Sequence, residues 1–258
     1  SARIADKMGF SALYMTGYGV SASLLGKPDA GYLTATHMAD RVRTICAFTE
    51  TPLIADADTG FGGLINVQDA VQAYELGGAA AIQLEDQQFP KRCGHTKNRT
   101  VIPLADAVKK IKMAVQSRQS DDFLIVARTD ARTSLGFDEA LRRGEAFAKA
   151  GADILFIESP ENVEEMNQIG QTFPDQWLLA NMVPGGRTPI LPAKTLAEMG
   201  FNIAIHPVSG LMAAAAAYQK VYNQLEDLAS LGTTPMPFAE LNKVIGFEAI
   251  WAMDEDNL

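Results

Sequence analysis

Apolar positions in this chain fall into short, nearly unbroken runs, each followed by polar residues and then by apolar residues at helical spacing. The runs cover residues 12–16, 52–56, 79–84, 123–127, 154–157, 177–180 and 202–205. Continuous runs of this length, without in–out alternation, suit parallel strands buried on both faces. Amphipathic stretches at 67–76, 104–116, 137–150 and 192–199 lie between them. Gly77-Gly78 and Gly151 stand where helices should stop and strands begin.

Strand–helix alternation of this kind predicts an α/β fold with a parallel sheet. The expected architecture is a (β/α)8 barrel of the TIM type, because polar residues collect at the C-terminal ends of the strand runs. A doubly wound open sheet competes, but the chain carries no dinucleotide fingerprint. Seven strands are readable, and residues 2–9 read as a helix, so the expectation is that the first barrel strand precedes Ser1. The barrel is expected to occupy 1–232. The segment 233–258, with Pro235 and Pro237 before a single helix over 238–253, reads as an appended docking segment of the same domain.

Composition narrows the function classes. The chain has 258 residues, 47% hydrophobic and 21% charged, with formal net charge −9 and a pI near 4.9. An acidic chain without a dense basic block is a poor partner for nucleic acid. No apolar run approaches the roughly 20 residues of a membrane span. Two cysteines, Cys46 and Cys93, cannot staple a chain of this length, which points to a reducing compartment. The expected location is the cytoplasm, or an organelle where a leader has been removed.

The strand ends carry the chemistry. Asp56 and Asp58 close one run, and residues two apart on a strand share a face. Paired carboxylates repel unless a cation or proton sits between them. Glu85 ends the next run and should face the same centre. Oxygen donors of this kind suit Mg2+, with Mn2+ as a substitute; helix capping is the bland alternative for any one of them. Arg128 and Asp130 end a further run, and an arginine there is suited to bidentate carboxylate binding. Glu158 and Asn181 end the next two, and Thr188 lies in a Gly-Gly-Arg-Thr-Pro loop able to donate to a carboxylate.

Lys91-Arg92-Cys93-Gly94-His95 follows Glu85-Asp86-Gln87. Positive neighbours lower a thiol pKa, so Cys93 reads as a nucleophile or a proton donor, and spacing alone does not choose. Zinc does not fit, because one Cys and one His have no partner pair. Cys46 reads as an inert helix-face thiol and His37 as a surface residue opening a helix. His206, before Pro207, is read as structural, with a place bordering the site as the alternative.

Taken together, 14–19, 26–29, 55–63, 85–87, 91–95, 127–130, Asn181 and Thr188-Pro189 resemble the isocitrate lyase/phosphoenolpyruvate mutase superfamily, lyase branch. The resemblance implies a barrel whose last helix swaps between subunits, usually in a homotetramer. It implies Mg2+ at Asp56 and Asp58, with Glu85 and Asp29 around it, and a small carboxylate as substrate. Thr16, Gly17 and Tyr18 would hold the keto-acid moiety by backbone amides, and Arg128 would contact it. Asn181 and Thr188 would meet the second carboxylate. Cys93 would be the acid/base of a gating loop that also carries Lys91, Gly94 and His95. Tyr14 and Glu158 are the candidates for the base at the substrate hydroxyl.

The implied reaction is Mg2+-dependent cleavage of a 2-hydroxy di- or tricarboxylate, of the 2-methylisocitrate or substituted-malate type. Products would be pyruvate or glyoxylate plus a carboxylate. Three other readings stay open: an oxaloacetate hydrolase giving oxalate and acetate, a phosphonate mutase, and a catalytically silent barrel.

Overall fold

A computed structural model describes residues 1–94, 99–226 and 235–256. Seven strands pair in parallel and in chain order: β1 (Leu13–Met15), β2 (Leu53–Asp56), β3 (Ala81–Glu85), β4 (Leu124–Thr129), β5 (Ile154–Ile157), β6 (Trp177–Asn181) and β7 (Ile203–Ile205). They form a nearly closed TIM-type barrel. Among the described residues, β1 and β7 are each paired on one side only, and the expected eighth strand is not among them.

The helices are α1 (Ala2–Asp6), α2 (Gly17–Val20), α3 (Ala35–Cys46), α4 (Leu64–Leu76), α5 (Leu104–Ser117), α6 (Ala131–Leu135), α7 (Phe137–Lys149), α8 (Val163–Thr172), α9 (Ala193–Glu198), α10 (Ser209–Tyr222), α11 (Phe238–Ile245) and α12 (Phe247–Asp256). A short π-helical turn, Ser21–Leu25, continues α2. His37 does open a helix. Its backbone N–H donates to Thr34 Oγ1 while its Nδ1 accepts from the Thr34 amide, both at 3.3 Å, which caps α3 at both groups.

The period of two along each strand sorts its residues between two cores. Ile54, Ala81, Val126, Ile154, Phe156, Leu179 and Ile205 fill the barrel interior, with Tyr14 packed against them. Their neighbours Ala55, Ile82, Leu84, Ile125, Ala127, Leu155 and Leu178 face the other way, into the core under the helices. The inward set has a consequence for chemistry. Two residues beyond Ile54 comes Asp56; two beyond Ala81 come Gln83 and then Glu85; two beyond Val126 comes Arg128; two beyond Phe156 comes Glu158; two beyond Leu179 comes Asn181. An apolar plug below thus gives way to a polar layer at the C-terminal mouth.

Gly170 shows how tightly the outer layer packs. A Cβ there would overlap the Met199 carbonyl oxygen at the end of α9. Gly170→Ala should therefore cost about 1–3 kcal/mol through overpacking. A loss of roughly 5 °C in Tm by differential scanning calorimetry checks it.

The tail differs from expectation. The single helix expected over 238–253 is two helices, because Gly246 takes left-handed backbone (φ 98°) and ends α11. Arg3 ties this tail to the body, its Nη1 donating to the Val244 carbonyl at 3.4 Å. No helix of the described residues is long and apolar enough to cross a membrane.

Candidate active site

Behind the barrel mouth lies an acid cluster. Gly17 N donates to Asp56 Oδ2 at 2.9 Å, and Asp58 N donates to Asp56 Oδ1 at 3.0 Å. Asp58 holds positive φ (49°), a sparsely populated conformation for a residue with a Cβ, and this turns it back toward Asp56. The two carboxylates converge. The place a Cβ on Gly17 would occupy is 2.9 Å from Asp58 Oδ1, 3.0 Å from Asp56 Oδ2 and 3.5 Å from Lys91 Nζ. The Lys91 ammonium itself lies 2.6 Å from Asp58 Oδ1 and 2.6 Å from Asp29 Oδ1.

Burial dominates the electrostatics here. It pushes the Asp58 carboxyl up to about 7, with Asp56 and Asp29 adding to the effect and Lys91 opposing it. Burial also holds Glu85 well above the usual carboxylate range, against the pull of Arg128. For Lys91, burial disfavours the charge, but Asp58, Glu85, Asp56 and Asp29 outweigh it and the group stays an ammonium. Tyr14 donates its phenolic proton to Gln83 Oε1 at 2.6 Å, and Gln83 Nε2 donates to Asp56 Oδ1 at 3.1 Å. Burial, then the Asp56 charge, raise the phenol well above its ordinary value, so Tyr14 keeps its proton.

Opposite the acids stands Arg128. Its Nε and Nη2 both donate to the Asp130 carboxylate at 2.9 Å, in a bidentate fork. Glu158 Oε2 lies 3.2 Å from Nη2, Glu85 Oε2 3.5 Å from Nε, and the Phe156 ring 5.0 Å from the guanidinium carbon. Asp130 is gripped from the other side by Arg99. Asp86 points away from the mouth and ties this layer to the helices. It accepts from Thr129 Oγ1 at 2.7 Å, from the Asp130 amide at 2.8 Å and from Arg143 at 2.9 Å.

The segment 91–94 crosses the mouth and is held along its length. Gln87 exchanges two hydrogen bonds with the Arg92 backbone, at 2.8 and 2.9 Å. Cys93 N donates to the Asp29 carbonyl at 3.3 Å. Ser159 Oγ, itself at positive φ (59°), stands 3.0 Å from both the Gly94 carbonyl oxygen and Glu158 Oε1. A Cβ on Gly94 would overlap Arg128 Nη2 and lie 2.8 Å from Glu158 Oε2. Gly94→Ala is expected to lower kcat about tenfold while leaving Tm within a few degrees, because the intrusion falls on the site rather than the core. Steady-state kinetics and a thermal melt on the same preparation check it.

These parts enclose a cavity of about 250 Å3. Of the expected catalytic residues, Cys93, Arg128, Tyr14, Glu158 and Lys91 line it, and His95 falls outside the described residues. Thr16, Tyr18, Asp29, Gly94 and Asn181 line it too, as do Asp56 and Glu85. Gly17 and Asp58 sit just behind the wall. Thr188 is buried but does not line the cavity, and His206 is exposed and does not line it either, although its neighbours Ile205 and Pro207 do. Six lining residues were not among the expected site residues: Arg92 on the charged side, and Val183, Ile205, Pro207, Val208 and Met212, which make an apolar wall. Gln83 was missed as well, although a step of two back from Glu85 on an inward face points to it.

Among the described residues, no three His, Cys, Asp or Glu side chains form a complete metal cage. Mg2+ does not need one, since it keeps several waters and takes few carboxylates. The donors present are all oxygen, and Glu85 Oε1 is buried without a hydrogen-bond partner among the described residues. Both features fit a hydrated hard cation.

Residues 1–226 match the family described as phosphoenolpyruvate phosphomutase. The chain is 49% identical over 253 residues to a 2,3-dimethylmalate lyase of Eubacterium barkeri, covering 97% of this chain and 87% of that protein. It is 38% identical to a 2-methylisocitrate lyase of Bacillus subtilis, over 89% of this chain and 75% of the relative. A crystal structure of 2,3-dimethylmalate lyase superposes with TM-score 0.93 at 37% identity, covering 99% of this chain and 86% of that one. Oxaloacetate acetylhydrolase with 3,3-difluorooxalacetate gives TM-score 0.93 at 36% identity, over 100% and 88%.

Proposed function

The chain belongs to the phosphoenolpyruvate phosphomutase family, and from that premise we propose that it is a carbon–carbon lyase acting on a 2-hydroxy dicarboxylate of the substituted-malate type. One observation carries the reading: Cys93 and Arg128 line the same cavity as Asp56 and Glu85. A proton donor, a carboxylate binder and a cation-holding group then meet around one small molecule.

Asp56 and Glu85, which line the cavity, would hold Mg2+, or Mn2+ in its place, with Asp58 behind them in the surrounding hydrogen-bond shell, and the bound ion would supply Lewis acidity at the 2-oxygen. Arg128 orients a substrate carboxylate through the guanidinium edge that Asp130 does not occupy. Glu158 takes the hydroxyl proton, because Tyr14 keeps its own. The C2–C3 electron pair then passes to C3, where the adjacent carboxylate spreads the charge, and C2 becomes a ketone. Cys93 delivers its thiol proton to C3, giving a 2-keto acid and a saturated carboxylate. Asn181 completes the polar wall by donating to Glu158 Oε2 at 3.1 Å.

The apolar wall favours an alkyl-substituted malate over a tricarboxylate. Val183, Ile205, Pro207, Val208 and Met212 offer no charge for a third carboxylate; the cations that line the cavity, Lys91, Arg92 and Arg128, belong to its charged side, and Arg187 is turned to Glu161, 3.5 Å away, outside the cavity. The test is a panel of malate, alkylmalates and 2-methylisocitrate, assayed for pyruvate and glyoxylate with Mg2+ and with EDTA. Highest kcat/KM on an alkylmalate, abolished by EDTA, is expected. Acetate and oxalate from oxaloacetate would instead align the chain with the oxaloacetate acetylhydrolases.

We also propose that the tail beyond the barrel docks on a second copy in a cytoplasmic homotetramer. Phe238, Ile245, Ile250, Trp251 and Met253 on α11 and α12 are exposed, which is costly for a lone subunit. Light scattering of the full chain against one ending at residue 232 tests this, with a smaller species expected on truncation.

A further inference from the structure

Lys91 stands two residues before Cys93, and proximity in sequence suggests that it activates the thiol. Its ammonium is spent elsewhere. Both of its close ionic contacts are carboxylates of other elements: Asp29, in the stretch after the π-helical turn, and Asp58, after β2. All three side chains are at most 6% exposed. The charge-assisted contacts at 2.6 Å are the strongest polar anchors on 91–94. Further ties include the Gln87 pair with Arg92, the Cys93 amide on the Asp29 carbonyl and the Ser159 hydroxyl on the Gly94 carbonyl.

We infer that Lys91 is a positioning residue: its ammonium, clamped between Asp29 and Asp58, straps residues 91–94 across the mouth and fixes where the Cys93 thiol stands. Asp29 serves the strap twice, through its carboxylate on Lys91 and its carbonyl on the Cys93 amide. Opening the segment would break both ion pairs of a buried ammonium, which favours the closed placement. The inference deepens the proposed reading and rests on it only for the role of Cys93 as proton donor.

The two roles for Lys91 give opposite signs in one measurement. If Lys91 were an electrostatic activator, Lys91→Met would raise the thiol pKa and slow alkylation of Cys93. As a strap, its removal loosens the segment and exposes the thiol. We therefore expect the rate of Cys93 alkylation by iodoacetamide at a fixed neutral pH, read by peptide mass spectrometry, to rise about tenfold in Lys91→Met as local opening becomes more frequent. Cys46, at the end of α3, is the internal control and should not change. Asp29→Asn keeps the lysine charge while removing one clamp jaw, and should shift the rate in the same direction. In both variants kcat should fall more than KM rises, as expected when a proton donor is misplaced rather than a ligand lost. Unchanged or slower Cys93 alkylation in both variants would overturn the strap. Faster alkylation with no loss of kcat would leave the strap standing and sink Cys93 as the proton donor.

Discussion

Replacing Cys93 with serine is expected to lower kcat by about 10²–10⁴-fold, the range for removing a positioned general acid. A serine hydroxyl is a far weaker acid than a thiol, yet fills nearly the same volume. The substitution changes proton supply and little else. Cys93 lies on the strap over the cavity, whereas the acids proposed for Mg2+ come from β2, its following loop and β3. Mg2+ affinity by calorimetry should therefore move by less than about threefold, because the lost interaction belongs to the chemical step. Near-normal turnover on the best alkylmalate would refute the assignment.

Arg128→Met should damage both activity and stability. The guanidinium is buried among Asp130, Glu158 and Glu85. Asp130, despite its burial, is held below the usual carboxylate range by Arg128 and Arg99. Removing the arginine leaves buried carboxylates uncompensated, at a cost of about 3–5 kcal/mol. For a chain of this size that corresponds to a fall of roughly 10 °C in Tm. Turnover should drop by about 10³-fold, since the group that meets the substrate carboxylate is gone. Arg128→Lys should recover part of the Tm but little of the activity, because an ammonium cannot form the fork to Asp130. A melt within 2 °C of the parent for Arg128→Met, as judged against that roughly 10 °C expectation, would count against the arrangement.

Much of this was legible in the sequence, for a local reason. A strand buried on both faces announces itself as an apolar run, and its C-terminal end is marked by a charged or amide side chain. Asp56, Glu85, Arg128, Glu158 and Asn181 were readable on that basis, and the structure brings them to one mouth. What escaped depends on contacts distant in sequence. Lys91 turns to Asp29 and Asp58 rather than to its neighbour thiol, a fact carried by packing alone. Arg99 finds Asp130 from 31 positions away. The apolar wall is built from Val183, Ile205, Pro207, Val208 and Met212, each looking like ordinary core. Thr188 shows a limit of loop chemistry as a guide: its hydroxyl is buried without a hydrogen-bond partner among the described residues, yet it is not among the residues lining the cavity. The tail helix was read as continuous because its apolar spacing runs through Gly246, and only the left-handed backbone there divides it.

The division of the cavity into a charged half and an oily half also partitions the gene. Everything assigned to bond making and breaking comes from residues 14–158. The greasy side is encoded separately, in the stretch from Val183 to Met212. Exchanging that one cassette between related proteins is thus a route to new tastes in side-branch size, with the reaction itself left intact.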